Sequence, residues 1–202
     1  MPLRGLIGHV VLGVSAAFLQ VAYLYAFAAP LAEALHDKLA AAGEEEEVAQ
    51  WSVAVAAAIY GGSLGAIFYY FTKSVEPASA AFMLFTAFNL LPGVKWLPTP
   101  HGVSYVEPVW WRELIHSLYV LFNLSVLLLA LRLRRLGELR WVAAAALLVL
   151  GYAAFPQFTL PEQYEVVIPE LRALQVLALS SWALFWGVMA VVGRELMPLR
   201  RA

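Results

Sequence analysis

The sequence contains no cysteine and few charged residues. Without thiols the chain can form neither disulfides nor thiolate metal centres, so iron–sulfur clusters and cysteine-ligated zinc are excluded. Charged residues make up only 13% of the chain, against about a quarter in soluble domains. No basic tract is present, which argues against nucleic acid as a partner. Because 62% of the residues are hydrophobic, the composition indicates an integral membrane protein whose first partner is the lipid bilayer.

Long apolar runs predict six transmembrane helices, since a span needs about 20 apolar residues. These spans cover approximately residues 5–30, 48–71, 78–91, 110–131, 139–155 and 171–192. We therefore predict an all-α polytopic membrane helix bundle that forms a single transmembrane domain over residues 1–202. The first apolar run is not followed by a small-residue cleavage site, and we expect it to be a retained helix.

The distribution of charge predicts the orientation. With the N-terminus in the cytoplasm, nine basic residues lie inside and only four outside, as the positive-inside rule requires. The four outer ones are Lys38, Lys95, Arg112 and Arg172. Both termini are then cytoplasmic in a cell membrane, and the outer face is acidic and has the longer loops. Function is expected on that elaborated outer face.

Several chemical signatures are missing. No acid lies at the centre of a predicted span, so the proton-relay pattern of many pumps is absent. The sequence shows no phosphate-binding glycine loop and no nucleophile–base pairing. His9 and His116 lie near opposite membrane faces and cannot share one haem iron. We therefore predict that the protein is not an enzyme. The sequence indicates no self-contained cofactor site, and the alternative is a haem shared with another chain.

The segment Asn89–His116 interrupts the hydrocarbon pattern. Its prolines and ring side chains predict an ordered extramembrane loop rather than regular helix. At its end Glu113 and His116 are three residues apart, so a helix places both on one face. Glu-x-x-His is a recurrent metal-ligating pair in helical bundles. The alternative is that both side chains hydrogen-bond to neighbouring helices or loop backbone.

Four further candidates for metal ligation lie in the outer loops. Glu33, His36 and Asp37 fall at i, i+3 and i+4 on a predicted short helix after Pro30. This mixture of nitrogen and oxygen ligands suits cobalt, nickel or zinc. The alternative is a solvated amphipathic helix on the membrane surface. His101, in the central loop, is a candidate outer ligand.

Polar and small residues inside the spans have two interpretations each. The Gly61–Gly65 GxxxG pattern allows close helix contact, and we predict packing within the chain rather than dimerisation. Gln20, Asn123 and Gln175 are predicted to bond across helices, with a polar path near mid-membrane as the alternative.

The stretch Pro92–Trp96, followed by Pro98, Pro100 and Val103, resembles the central loop of the CbtA family of cobalt transporter subunits. The last apolar run, around Leu171–Gly187, is similar to the closing helix of that family. The resemblance implies an integral membrane subunit that moves cobalt beside a small partner protein.

This chain departs from the family at two positions. The first outer loop of the family is often rich in histidine, whereas here it has His36 among acids. His101 stands where family members often have a second proline.

The leading function predicted from the sequence is a membrane component of a divalent-metal transport system of the cobalt type, with cobalt as substrate. The acidic outer face would gather cations, and His101, Glu113 and His116 would form a hand-over site. The alternative is a non-catalytic structural subunit of a larger membrane complex, such as a respiratory assembly. Other membrane protein subunits are expected partners in either case.

Overall fold

The described part of the chain is helical. The computed structural model describes residues 2–40, 50–98, 108–158 and 162–196. Within these residues there are seven α-helices and no β-strand, which confirms the predicted all-α fold. The α-helices are α1 (Pro2–Ala40), α2 (Gln50–Thr72), α3 (Pro77–Phe85), α4 (Leu91–Lys95), α5 (Val109–Arg132), α6 (Leu139–Ala154) and α7 (Ile168–Glu195). A π-helical segment, Thr86–Leu90, joins α3 to α4, so that Pro77–Lys95 forms one continuous rod, named here the third span.

Five helical segments of the described chain are long and apolar enough to cross a membrane. They are Leu3–Leu31, Ser52–Thr72, Pro77–Lys95, Trp110–Arg132 and Glu165–Glu195. The remaining predicted span, residues 139–155, corresponds to α6, which is apolar but has only 16 residues. At 1.5 Å per residue α6 is about 24 Å long, shorter than the roughly 30 Å hydrocarbon core. That six helices cross the membrane, and in which orientation, stays a prediction.

The third span lies at the centre of the helix packing. It contacts α2, α5 and α7, while α1 packs against α2 and α7, and α6 packs against α5. The main core forms where these helices meet, and Phe68, Leu84 and Phe185 are fully buried in it. Burying apolar side chains away from both lipid and water fixes the helices by close packing.

Neighbouring long helices run antiparallel, so charged residues collect at two ends of the bundle. Gln20 of α1 bonds to Ser181 of α7, and Lys38 near the end of α1 bonds to Glu170 near the start of α7. One end, named the arginine end, carries Arg4, Lys73, Arg132, Arg135, Arg140 and Arg194. The other, named the carboxylate end, carries Glu33, Asp37, Glu113, Glu162, Glu165 and Glu170. Each end also has fewer charges of the opposite sign: Glu76, Glu138 and Glu195 at the arginine end, and Lys38, Lys95, Arg112 and Arg172 at the carboxylate end.

The GxxxG pattern packs within the chain. A Cβ atom on Gly65 would collide with the carbonyl oxygen of His9 in α1, and one on Gly61 would lie 2.5 Å from the carbonyl oxygen of Gly13. These glycines let the backbones of α1 and α2 touch, as small residues do in membrane helices. The predicted use of Gly61–Gly65 inside the chain, rather than between chains, is confirmed.

Two predicted interruptions are wrong. The predicted loop does not begin at Pro92, since the chain stays helical to Lys95. Residues 99–107 of that predicted loop lie outside the described residues. The reason for the continued helix lies one turn earlier, where the backbone N–H of Leu91 bonds to the carbonyl of Thr86 in the wider π-helical pattern. A π-bulge shifts the hydrogen-bond register, and Pro92 follows it as a residue that donates no hydrogen bond. The third span is therefore longer than the predicted residues 78–91.

The predicted short helix after Pro30 is part of α1, which continues to Ala40 with Pro30 inside it. Its 39 residues extend about 58 Å at 1.5 Å per residue, well beyond the thickness of a hydrocarbon core. Pro30 lies at the end of the apolar part of α1. Glu33 and Asp37 thus sit on a continuation of the apolar helix α1 rather than on a separate surface helix.

Candidate functional site

A cavity of about 460 Å³ opens at the carboxylate end of the bundle. The third span, α5 and α7 form its walls, and Tyr60 of α2 lies at its inner side. We name it the α5–α7 cavity. Much of its lining is aromatic, and the ring side chains are Tyr60, Phe88, Trp96, Phe158 and Trp182. Its polar lining side chains are Asn89, Arg112, Glu113, His116 and Gln175. A concave site with mostly apolar walls and a few converging polar groups is the usual form of a ligand-binding site.

Glu113 and His116 both line this cavity. They lie in the second turn of α5, where the three-residue spacing turns both towards the same space. The imidazole ring of His116 meets the indole of Trp96 edge to face, with 5.7 Å between ring centroids. Arg112, also in the lining, adds a positive charge beside the carboxylate. The pair can offer one nitrogen and two oxygen atoms to a ligand.

Gln175 joins the two walls of the cavity. Its side-chain nitrogen donates hydrogen bonds to the carbonyl oxygens of Gly93, at 2.5 Å, and Trp96, at 3.4 Å. Both acceptors lie near the end of α4, where helical carbonyls lack partners within the helix. Gln175 therefore fixes the end of the third span against α7.

Asn89 lies at the base of the cavity, in the π-helical segment. Its side-chain oxygen accepts a hydrogen bond from the indole nitrogen of Trp186 at 2.7 Å, and both residues are buried. A buried donor pays the cost of desolvation in full when its acceptor is removed. This bond therefore holds the π-helical segment to α7 below the cavity.

We expect Asn89→Leu to lower the free energy of unfolding by about 1–3 kcal/mol, because the buried indole N–H of Trp186 loses its acceptor. Thermal unfolding in detergent, followed by circular dichroism, measures the change. Ser125→Ala is the matched control, since its hydroxyl bonds only to the carbonyl of Leu121 in its own helix. Equal melting temperatures for the two variants would contradict this role of Asn89.

Lys95, which charge counting placed on the outer surface, is buried at the end of α4. Its ammonium nitrogen donates to the carbonyl oxygen of Tyr152 at 2.5 Å and lies 4.5 Å from the centre of the Tyr152 ring. The rings of Trp96 and Tyr119 are 5.6 and 5.8 Å away. The Gln157 amide, with its nitrogen turned to the carbonyl of Lys95, presents its oxygen to the ammonium at 3.0 Å. Carbonyl oxygens and ring faces together stabilise a buried cation.

The other predicted polar residues have separate positions. Gln20 donates to Ser181 at 3.3 Å, which joins α1 to α7 as predicted. Asn123 is fully buried in α5, and neither amide atom has a hydrogen-bond partner among the described residues. Of the three predicted residues, only Gln175 lines the cavity.

The structure brings together two of the predicted metal ligands. Glu113 and His116 share the cavity, whereas Glu33 and Asp37 are exposed one turn apart on α1. His36 belongs to the same stretch of α1, and His101 lies outside the described residues. Among the described residues no three His, Asp or Glu side chains stand close enough to hold one metal ion.

Comparisons with known protein families, with curated proteins and with solved structures find no match for this chain. The resemblance of residues 92–103 and of the last helix to the CbtA family therefore stays a prediction. The fold and the cavity are the observations from which function has to be argued.

Proposed function

We propose that this protein is the membrane-spanning component of a divalent-metal transport system of the cobalt type, and that the α5–α7 cavity is where the cation is handed over. The observation that supports this proposal is the convergence of Glu113 and His116 on one cavity. An imidazole nitrogen and a carboxylate suit cobalt, nickel and zinc. A carboxylate at the margin of a membrane span is costly to retain without a binding role or a partner.

The remaining coordination positions of the cation belong to water or to a third side chain. His101 is the predicted third ligand, because it lies in the segment between the third span and α5. Glu113 and His116 are exposed at the cavity mouth. The indole of Trp96 against His116 keeps water from one side of the pair, which strengthens the attraction between a carboxylate and a cation. Arg112 opposes cation binding electrostatically, and this repulsion favours release over permanent retention.

The proposed orientation places both termini in the cytoplasm and gives the chain six spans, with the short α6 as the fifth in order. The separation of an arginine end from a carboxylate end supports it, since basic residues concentrate on the cytoplasmic side. The cavity then opens to the outer face. Glu33 and Asp37 on the extension of α1, with Glu44–Glu47 after it in sequence, raise the local cation concentration there.

We expect cobalt and zinc to bind the purified protein at micromolar concentration, and Glu113→Gln and His116→Ala each to weaken that binding more than about tenfold. Each substitution removes one of the two ligands that the cavity provides, and even the loss of supporting groups around a metal costs 10–100-fold. Isothermal titration calorimetry in detergent measures both effects. Glu165→Gln, an exposed carboxylate of the same end outside the cavity lining, should leave the affinity unchanged. No binding of either metal to the unaltered protein would refute the hand-over site.

A second candidate is a non-catalytic structural subunit of a larger membrane complex. The absence of any three-residue ligand group among the described residues, and the aromatic lining of the cavity, favour this alternative. A cavity of this kind accepts a side chain or lipid from a neighbouring subunit as readily as an ion. Purification in mild detergent distinguishes the two functions, because stoichiometric co-elution with haem-bearing subunits is expected only of the structural one.

A further inference from the structure

A second cavity lies at the arginine end, between the start of the third span and the start of α6. Its volume is about 410 Å³. The lining includes Ser74, Glu76, Ser79, Met83, Arg140 and Trp141. We name it the Arg140 cavity. It is separate from the α5–α7 cavity, with which it shares no lining residue.

Arg140 is the one basic side chain among the described residues that line this cavity. The Nε atom of Arg140 is enclosed by protein and has no hydrogen-bond partner among the described residues. The guanidinium carbon lies 5.2 Å from the centre of the Trp141 ring, so the ring face holds the charged group in place. An enclosed donor on a charged group is costly unless an acceptor meets it. Arg140 also lines the cavity, where an anion can accept hydrogen bonds from the terminal nitrogens of its guanidinium.

The position of the cavity indicates which anion. It lies where the third span begins, where the span Trp110–Arg132 ends and where α6 begins. In the proposed six-span arrangement, on which this inference rests, this is the depth of lipid headgroups, and Trp141 is of the residue type enriched there. Lys73, Arg132 and Arg135 belong to the same end of the bundle, where they outnumber Glu138 and Glu195. Basic pockets between membrane helices at such an end suit phosphate-bearing headgroups.

We propose that the Arg140 cavity binds the phosphate group of an anionic phospholipid from the surrounding bilayer. Arginine matches a phosphate through paired, charge-assisted hydrogen bonds. The hydroxyls of Ser74 and Ser79 add neutral donors at the same place. Met83 and Leu131, also in the lining, provide an apolar side against which the lipid chains lie.

Glu76 is the acidic side chain of the Arg140 cavity, and its effect on lipid binding should be opposite to that of Arg140. It also lines the cavity, forms no side-chain cap for α3 and is exposed. Its carboxylate repels a phosphate, so it weakens the binding that Arg140 favours. Neutralising these two residues must therefore change the affinity for an anionic lipid in opposite directions. A purely structural role for either residue predicts no such pair of effects.

Native mass spectrometry of the detergent-solubilised protein tests the proposal with phosphatidylglycerol and phosphatidylcholine. Phosphatidylglycerol should bind at least about tenfold more tightly, and Arg140→Gln should remove that preference. Arg135→Gln removes an exposed charge of the same end and should retain it. Equal affinity of the unaltered protein for both lipids, or equal behaviour of Arg140→Gln and Arg135→Gln, would overturn the proposal.

Glu76→Gln provides an independent reading if Arg140→Gln folds poorly. We expect it to tighten phosphatidylglycerol binding about twofold to fivefold, as loss of a partly exposed repulsive charge does. Unchanged or weaker binding counts against the proposal. Millimolar inorganic phosphate, added as a competitor, distinguishes the source of the phosphate group. Retention of the lipid supports the bilayer as the source, whereas complete displacement assigns the site to free phosphate and overturns the lipid proposal.

Discussion

Gly65→Leu is expected to prevent stable packing of α1 against α2. A side chain at position 65 meets the backbone of His9 and Val10, with the α-carbon of Val10 at 3.1 Å and the carbonyl carbon of His9 at 2.9 Å from the new Cβ. Backbone atoms cannot move aside as a flexible side chain does, so the two helices have to separate. Overpacking of an ordinary core costs about 1–3 kcal/mol, and we expect a loss above that range. Chemical unfolding in detergent, followed by circular dichroism, measures it.

Gly187→Leu is the matched control. Gly187 lies in α7 and has no atom within 4 Å of an added Cβ. Leucine is a better helix former than glycine by less than about 1 kcal/mol, so this variant should be as stable as the unaltered protein or slightly more stable. If Gly65→Leu and Gly187→Leu unfold at the same denaturant concentration, the close contact of α1 and α2 is not what holds these helices together.

Lys95→Glu is expected to destabilise the protein by about 3 kcal/mol or more, since it leaves a buried charge without compensation. The new carboxylate would face the carbonyl oxygen of Tyr152 and the faces of aromatic rings, which are all electron-rich. The groups that stabilise a cation there repel an anion. Thermal unfolding in detergent measures the loss, and it should exceed the effect of Lys95→Met, which removes the charge but introduces no repulsion.

Arg172→Glu is the control for charge reversal at the same end of the bundle, because Arg172 is exposed. Reversal of an exposed charge changes stability by about 1 kcal/mol or less. A similar loss in Lys95→Glu and Arg172→Glu would show that the environment of Lys95 tolerates an anion. The contact of Lys95, at the end of α4, with Tyr152, near the end of α6, would then depend on ring packing alone.

The helices were predictable from hydropathy, because it measures whether a stretch of chain is apolar enough to lie in the hydrocarbon core of a membrane. A membrane span must satisfy its backbone hydrogen bonds internally, so long apolar runs become helices. All six predicted runs are helical, and five of these helices are long enough to cross a membrane. The contact of Gly61–Gly65 within the chain was predictable for a related reason, since small residues mark close helix packing. The continuation of helix through Pro92 was not, because the π-helical register of Thr86–Leu90 leaves no periodic signal in the sequence.

The candidate site was predictable only where its residues are close in sequence. Glu113 and His116 share a helical face, and spacing alone indicates that. Gln175 and the carbonyl oxygens of Gly93 and Trp96 are far apart in the chain, and their contact depends on how α7 packs against the third span. The charge distribution in the sequence predicts a surface position for Lys95, because it depends only on residue type and on the position of the residue in a loop. Its burial results from Tyr152 and Gln157, which tertiary structure alone brings to it.

The unequal lengths of the helices have a consequence for the surrounding lipid. In the proposed six-span arrangement, α6 with its 16 residues is some 6 Å too short for a hydrocarbon core of about 30 Å, and the bilayer beside it would thin to match. The long α1 on the opposite side of the bundle imposes no such thinning. The two leaflets would therefore be thinned beside α6 and not beside α1. Proteins with this mismatch partition into thinner membranes, so bilayer thickness itself becomes a variable that should govern where this chain accumulates.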